Sequence, residues 1–164
     1  MSKPIYIGDS RNVINRIRSN HCSGNVEGSR LRWCIAERMG YGFNRTRRPN
    51  GNTRIRIDLP NPRDGEKRVS EYIRSGKWKY ILFRSYDEAH DFKWYAIDEL
   101  NPMLNVNRRP WNQIELTRYR GLLEELERSS MFSCEQLREL ETGSGVCLFY
   151  HKNEPRNDVC LSGH

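Results

Sequence analysis

Apolar and polar residues alternate at the start of the chain, where Ile5-Tyr6-Ile7 predicts a short strand. Gly8-Asp9-Ser10 reads as a turn after it, with Asp9 or Ser10 placed to cap a helix. The period then lengthens: Val13, Ile14 and Ile17 form one helical face, Arg11, Arg16 and Arg18 project elsewhere, and Asn20–Gly24 breaks the pattern. Ser29 opens a second helix carrying Leu31, Cys34, Ile35 and Met39, which Gly40 and Gly42 end. Residues 44–54 read as a basic loop around the turn pair Asn50-Gly51, and residues 54–59 alternate as a strand with one charged face, ended by Pro60 and Pro62. A short helix over Glu66–Ser75, a buried strand from Lys79 to Phe83, and a helix after Asp87 with Phe92, Tyr95, Ala96 and Leu100 on one face follow, up to Pro102. Strands and helices in this order predict an α+β fold, a small sheet of three to four strands with helices packed on it.

Past Arg108-Arg109-Pro110 the pattern changes. Residues 112–128 form an amphipathic helix with Ile114, Leu116, Leu122, Leu123 and Leu126, a stripe that either covers the domain or joins a second copy of the chain. A short helix from Ser133 ends near Gly143, and residues 145–150 read as a strand before a polar turn and a frayed tail. The expected division is residues 1–110, with a basic insertion around 44–77, then a helical extension over 111–143 and a last strand and tail over 144–164.

Charge adds a partner to this picture. The 164 residues hold 28 basic and 21 acidic side chains, but residues 1–110 alone are net +10 and residues 111–164 net −3. The excess is mostly arginine, whose guanidinium fork matches phosphate oxygens, so a nucleic-acid partner is expected. Mean hydropathy is −0.88. The longest apolar runs, 80–83 and 146–150, fall far short of the roughly 20 residues of a spanning helix. With no apolar leader after Met1-Ser2-Lys3-Pro4, the expected location is the cytoplasm. The cysteines, Cys22, Cys34, Cys134, Cys147 and Cys160, lack paired metal-site spacings and are expected there as reduced thiols.

Three pieces of the chain share one further pattern: the strand Ile5-Tyr6-Ile7-Gly8, Arg16 eight residues after that glycine, and Phe92–Asn105 as a helix running into Pro102-Met103-Leu104-Asn105. Over residues 4–107 this resembles the GIY-YIG nuclease family, which includes the incision domain of the bacterial excinuclease subunit UvrC, intron homing endonucleases and some restriction enzymes. The family's Gly-Ile/Val-Tyr strand, antiparallel to YIG, is missing at the N-terminus. Residues 144–155, beginning Ser-Gly-Val-Cys-Leu-Phe-Tyr, are similar to it. Either the domain is circularly permuted, with this strand closing the edge beside residues 4–8, or a truncated second copy begins here.

The resemblance implies a division of labour on a phosphodiester: a tyrosine that orients or deprotonates water, an arginine on the phosphate, and a glutamate holding magnesium or manganese. Tyr6 takes the tyrosine position and Arg16 the arginine; His21 lies one residue beyond an accessory basic position; Gly8 and Asn105 match structural positions. The glutamate position, nine residues before Pro102, is Lys93, which has donors only, and Cys147 stands where the GIY tyrosine would be. Glu88, Asp91 and Glu99 are the nearest other carboxylates in sequence, and none is convincing as a replacement. DNA, or RNA, is the implied partner, with Arg18, Arg45, Arg47, Arg48, Arg54 and Arg56 as candidate backbone contacts and Tyr41 and Phe43 as stacking neighbours. Two functions stay open: a metal-dependent endonuclease, or an inactive domain of the same fold that binds nucleic acid or another protein.

Overall fold

The computed structural model describes residues 3–157. Along them run β1 (Tyr6–Ser10), α1 (Val13–Asn15), α2 (Arg30–Arg38), β2 (Phe43–Arg47), β3 (Thr53–Ile57), α3 (Pro62–Arg74), β4 (Lys77–Leu82), α4 (Tyr86–Leu100), α5 (Leu116–Arg128) and β5 (Gly145–Tyr150). The fold is α+β, with two small antiparallel sheets. The chain divides into two compact units, one of residues up to Arg18 together with Gly76–Lys152, the other of Ser19–Ser75 with the residues from Asn153 onward. Residues 158–164 of the expected tail lie outside the described residues.

In the first unit the strand order is β1-β5-β4. β5 is central and antiparallel to both neighbours, with Tyr6 and Trp78 opposite Phe149 and Gly8 and Tyr80 opposite Cys147. Its six residues are all buried, which explains why it reads as an unbroken apolar run rather than an alternation. Residues 145–150 thus fill the edge beside the YIG-like strand. Ile7, Val146, Leu148 and Tyr150 pack on one face against Ala89, Phe92, Tyr95 and Ala96 of α4 and Tyr119, Leu123 and Leu126 of α5. The apolar stripe of α5 is thereby used within the chain, while Ile114 just before it stays 91% exposed.

β1 runs farther than its sequence suggests. Pairing of Asp9 with Val146 and Ser10 with Gly145 keeps the expected turn extended, and the helix cap moves to Asn12, whose side chain accepts from the Asn15 amide at 3.1 Å. The outer edge of β1 is closed by residues 104–105. The Leu104 amide donates to the Ile5 carbonyl, and the Asn105 side chain both accepts from the Ile7 amide at 2.8 Å and donates to its carbonyl at 2.9 Å. Asn101, with φ of 46°, turns the chain out of α4 so that Pro102–Asn105 can reach that edge.

In the second unit the expected basic loop is largely a hairpin, because residues 43–47 pair in register with 53–57 and Gly51, at φ of 88°, makes the turn. α3 starts at Pro62, earlier than its apolar pattern suggests, because Asn61 caps it and proline suits the first helical turn. Leu31, Ile35, Ala36, Ile57, Val69 and Ile73 are buried in this unit. Among them the Arg32 side chain, fully buried, donates to Glu66 at 3.0 Å, to the Ser70 hydroxyl and to the His21 carbonyl. Cys22 here takes part in a disulfide rather than standing reduced, as does Cys134 of the first unit, whereas Cys34 and Cys147 are thiols. Wide spacing in sequence carried no sign of that bonding.

Candidate functional site

The two faces of β1 carry different chemistry. On one, the Tyr6 ring lies along the strand over Gly8: a Cβ at Gly8 would come within 3.0 Å of the tyrosine Cε1. The glycine therefore lets the ring lie flat. Opposite Gly8 is Cys147, fully buried, and removal from water pushes its thiol up to about 12. Asp9 pushes the same way, while the Gly8 amide and Arg16 oppose it. Cys147 is thus a protonated packing residue at neutral pH and cannot serve as a thiolate nucleophile. The same balance puts Arg16 and Asp9 within electrostatic reach of one atom, at the C-terminal end of β1.

The other face is built by β1 and α4. Tyr86, His90 and Lys93 fall at helical spacing and converge on Asp9, which follows Ile7 on this side of the strand. His90 Nδ1 lies 2.7 Å from Asp9 Oδ2, Lys93 Nζ 3.4 Å from the same oxygen, and the Tyr86 hydroxyl donates to Oδ1 at 3.3 Å. The Trp94 indole N–H points at His90 Nε2 at 3.2 Å, which assigns the ring proton to Nδ1 and makes His90 a donor to the carboxylate. Burial first, and then Asp9, raise the Tyr86 phenol above its ordinary value. Aromatic rings hold the neighbouring cations: Lys93 lies 4.3 Å and Arg109 5.3 Å from the Trp94 ring centre, and Arg11 lies 4.2 Å from that of Tyr86.

Tyr6 and Cys147 thus share one face of β1 and Lys93 lies on the other, while Arg16 is within electrostatic reach of the Cys147 thiol. The carboxylate that meets Lys93 is Asp9, not the three weighed from sequence. Asp91 accepts from the Tyr119 hydroxyl at 2.6 Å, Glu88 pairs with Arg118 at 2.7 Å, and Glu99 is exposed. Sequence reading missed Asp9, His90 and Tyr86 because Asp9 was read as a turn residue. Continuing the strand's period by one step, and noting tyrosine, histidine and lysine at i, i+4 and i+7, would have found them. A divalent cation does not fit these residues. Beside the Asp9 carboxylate stands the Lys93 ammonium, which has donors only, and the described residues contain no cluster of three His, Cys, Asp or Glu able to hold a metal.

Other candidates lie elsewhere. Arg18 is exposed beside Asn15, 3.4 Å from its side-chain oxygen. In the second unit His21 is buried, with Nδ1 2.6 Å from the Ser29 hydroxyl that also caps α2, so the histidine supports a helix start. On the β2–β3 hairpin Arg48 pairs with Glu27 at 2.8 Å and Arg56 approaches the same carboxylate at 3.5 Å. Arg48, and then the Ile55 amide, hold the Glu27 carboxyl below its ordinary value. Arg45, Arg47 and Arg54 are exposed; Arg45 lies 5.7 Å from the centre of the Trp33 ring, which stacks on Phe43 at 4.0 Å. Tyr41 is buried. No helix among the described residues is long and apolar enough to cross a membrane.

No curated protein and no solved structure matches the chain. A family model, that of the GIY-YIG catalytic domain, matches residues 2–126, a stretch that takes in β1, Arg16, α4 and Asn105 and ends before β5. Since that stretch is well over half of the chain, the chain belongs to the GIY-YIG catalytic domain family, a family of nuclease-type domains.

Proposed function

We propose that this protein engages the phosphodiester backbone of DNA at the C-terminal end of β1, and that it holds the backbone rather than cutting it with a bound metal. The observation that carries this reading is the ion pair between Lys93 and Asp9 at the family's glutamate position. Arg16, within electrostatic reach of the Cys147 thiol, supplies a guanidinium for phosphate oxygens, and the Tyr6 ring lies over Gly8. Exposed Arg18 and the hairpin arginines Arg45, Arg47 and Arg54 add contacts that track a backbone without reading sequence. RNA meets the same groups with the same charge, and a binding competition separates the two. The proposed location is the cytoplasm. Residues 145–150 are proposed to be the family's GIY strand in circularly permuted order, since they pair with β1 in the antiparallel sense.

The second reading, metal-dependent hydrolysis, rests on family membership. Supercoiled plasmid incubated with the protein, with and without magnesium or manganese, decides between them. Salt-sensitive retention of the plasmid without nicking is the expected result. Metal-dependent nicking that Arg16→Ala abolishes overturns the holding function in favour of the endonuclease.

A further inference from the structure

We infer that Lys93 is the resident cation of this site: its ammonium takes the place of the divalent ion and receives a backbone phosphate of nucleic acid without metal. The inference rests on the reading above and concerns the same site. Asp9 already accepts from His90 at 2.7 Å and Tyr86 at 3.3 Å, and its contact with Lys93, at 3.4 Å, is the longest of the three. The carboxylate positions the ammonium while its charge is shared among three donors, so Lys93 keeps capacity for an anion. The Trp94 ring fixes the same ammonium from another side at 4.3 Å.

The surroundings repeat the device. Arg109 shares the Trp94 ring and Arg11 sits on Tyr86, so both guanidinia are immobilised by aromatic faces, which orient a cation without cancelling its charge. Lys93 on Asp9, with Arg109 and Arg11 held on the adjoining Trp94 and Tyr86 rings, favours an incoming phosphate and disfavours a divalent ion, which the ammonium beside Asp9 would repel. Replacing Lys93 by glutamate would bring a second carboxylate beside Asp9 and His90, a ligand set suited to manganese.

The test uses the full chain, a short fluorescent DNA duplex read by anisotropy, and free Mn2+ read by electron paramagnetic resonance. Duplex affinity of the unaltered protein should agree between EDTA and magnesium buffers, and Mn2+ should stay free. Lys93→Glu should lose about tenfold in duplex affinity in EDTA, Lys93→Arg should keep it, and Lys93→Met, which introduces no new charge, should lose it also. Lys93→Glu should also bind Mn2+, and adding Asp9→Asn should abolish that binding. Mn2+ binding by the unaltered protein that Asp9→Asn removes, or duplex binding that collapses in EDTA and returns with Mn2+, overturns the inference. Absence of duplex binding in either buffer overturns the nucleic-acid reading itself, with the Mn2+ signal still reporting whether the site takes a metal.

Discussion

The β1-β5-β4 sheet and the β2–β3 hairpin are both antiparallel and built from strands of five or six residues, yet they treat side chains in opposite ways. The sheet buries its central strand entirely, and two cations beside β1, Lys93 and Arg11, are fixed by a carboxylate and by aromatic rings. The hairpin leaves most of β2 exposed, and of its arginines Arg48 and Arg56 are tethered by Glu27 while Arg45, Arg47 and Arg54 reach into solvent. Fixed cations suit recognition of one phosphate in one place; solvated ones suit long-range attraction to many phosphates. Orientation of the charges, more than their number, separates the two regions.

The largest effect should come from the centre of the sheet. Leu148→Ala removes a fully buried side chain and should destabilise the protein by about 2–5 kcal/mol, whereas Ile55→Ala on the hairpin should cost less than about 1 kcal/mol; urea unfolding measures both. Equal losses would break the comparison. Next, Gly8→Ala puts a Cβ 3.0 Å from the Tyr6 ring, which must shift by a few tenths of an ångström, and should cost about 1 kcal/mol, with a changed near-ultraviolet dichroism that reports the shifted tyrosine.

A pH series sharpens the contrast further. Burial raises the Cys147 thiol to about 12, above its unfolded value, so its contribution to stability is complete below pH about 9 and falls away as pH climbs toward 12. Tyr150, also pushed up to about 12 by burial, acts in the same sense. The urea midpoint should therefore drop between pH 9 and 11, and Cys147→Val should flatten part of that drop. A variant whose midpoint falls as steeply as the unaltered protein's would show that the thiol does not contribute. The smallest change in stability belongs to the hairpin. Replacing Arg45, Arg47 and Arg54 together by alanine should shift stability by less than about 0.5 kcal/mol per site, yet lower the salt dependence of duplex binding by about 0.9 for each lost phosphate contact.

Much of this was readable in the residues. The alternation of Tyr6-Ile7-Gly8, the Ser29 cap, the apolar run at 146–150 and the Pro102–Asn105 turn each carry their structure locally, because caps, turns and periodicity act over a few residues. What could not be read depends on pairing across the chain. Ser10 is a strand residue because Gly145 lies opposite it, residues 44–47 are a strand because 53–57 are, and Lys93 meets Asp9 only once α4 lies over β1. The candidate site was half legible for the same reason: Tyr6, Arg16 and Lys93 came from the family resemblance, while the meeting of Asp9 with Lys93 and His90 depends on α4 lying over β1.

The central place of β5 also has a meaning for how the protein is made. Synthesis delivers β1 about 140 residues before its partner, so the YIG strand leaves the ribosome well ahead of the strand it pairs with. β4 precedes that strand as well, since β5 is its partner too. Until residues 145–150 emerge there are two strand edges and no sheet, a template for strands of other chains. A fragment cut at residue 126, where the family match ends, would hold Tyr6, Arg16 and Lys93 and still lack the strand on which the sheet is assembled.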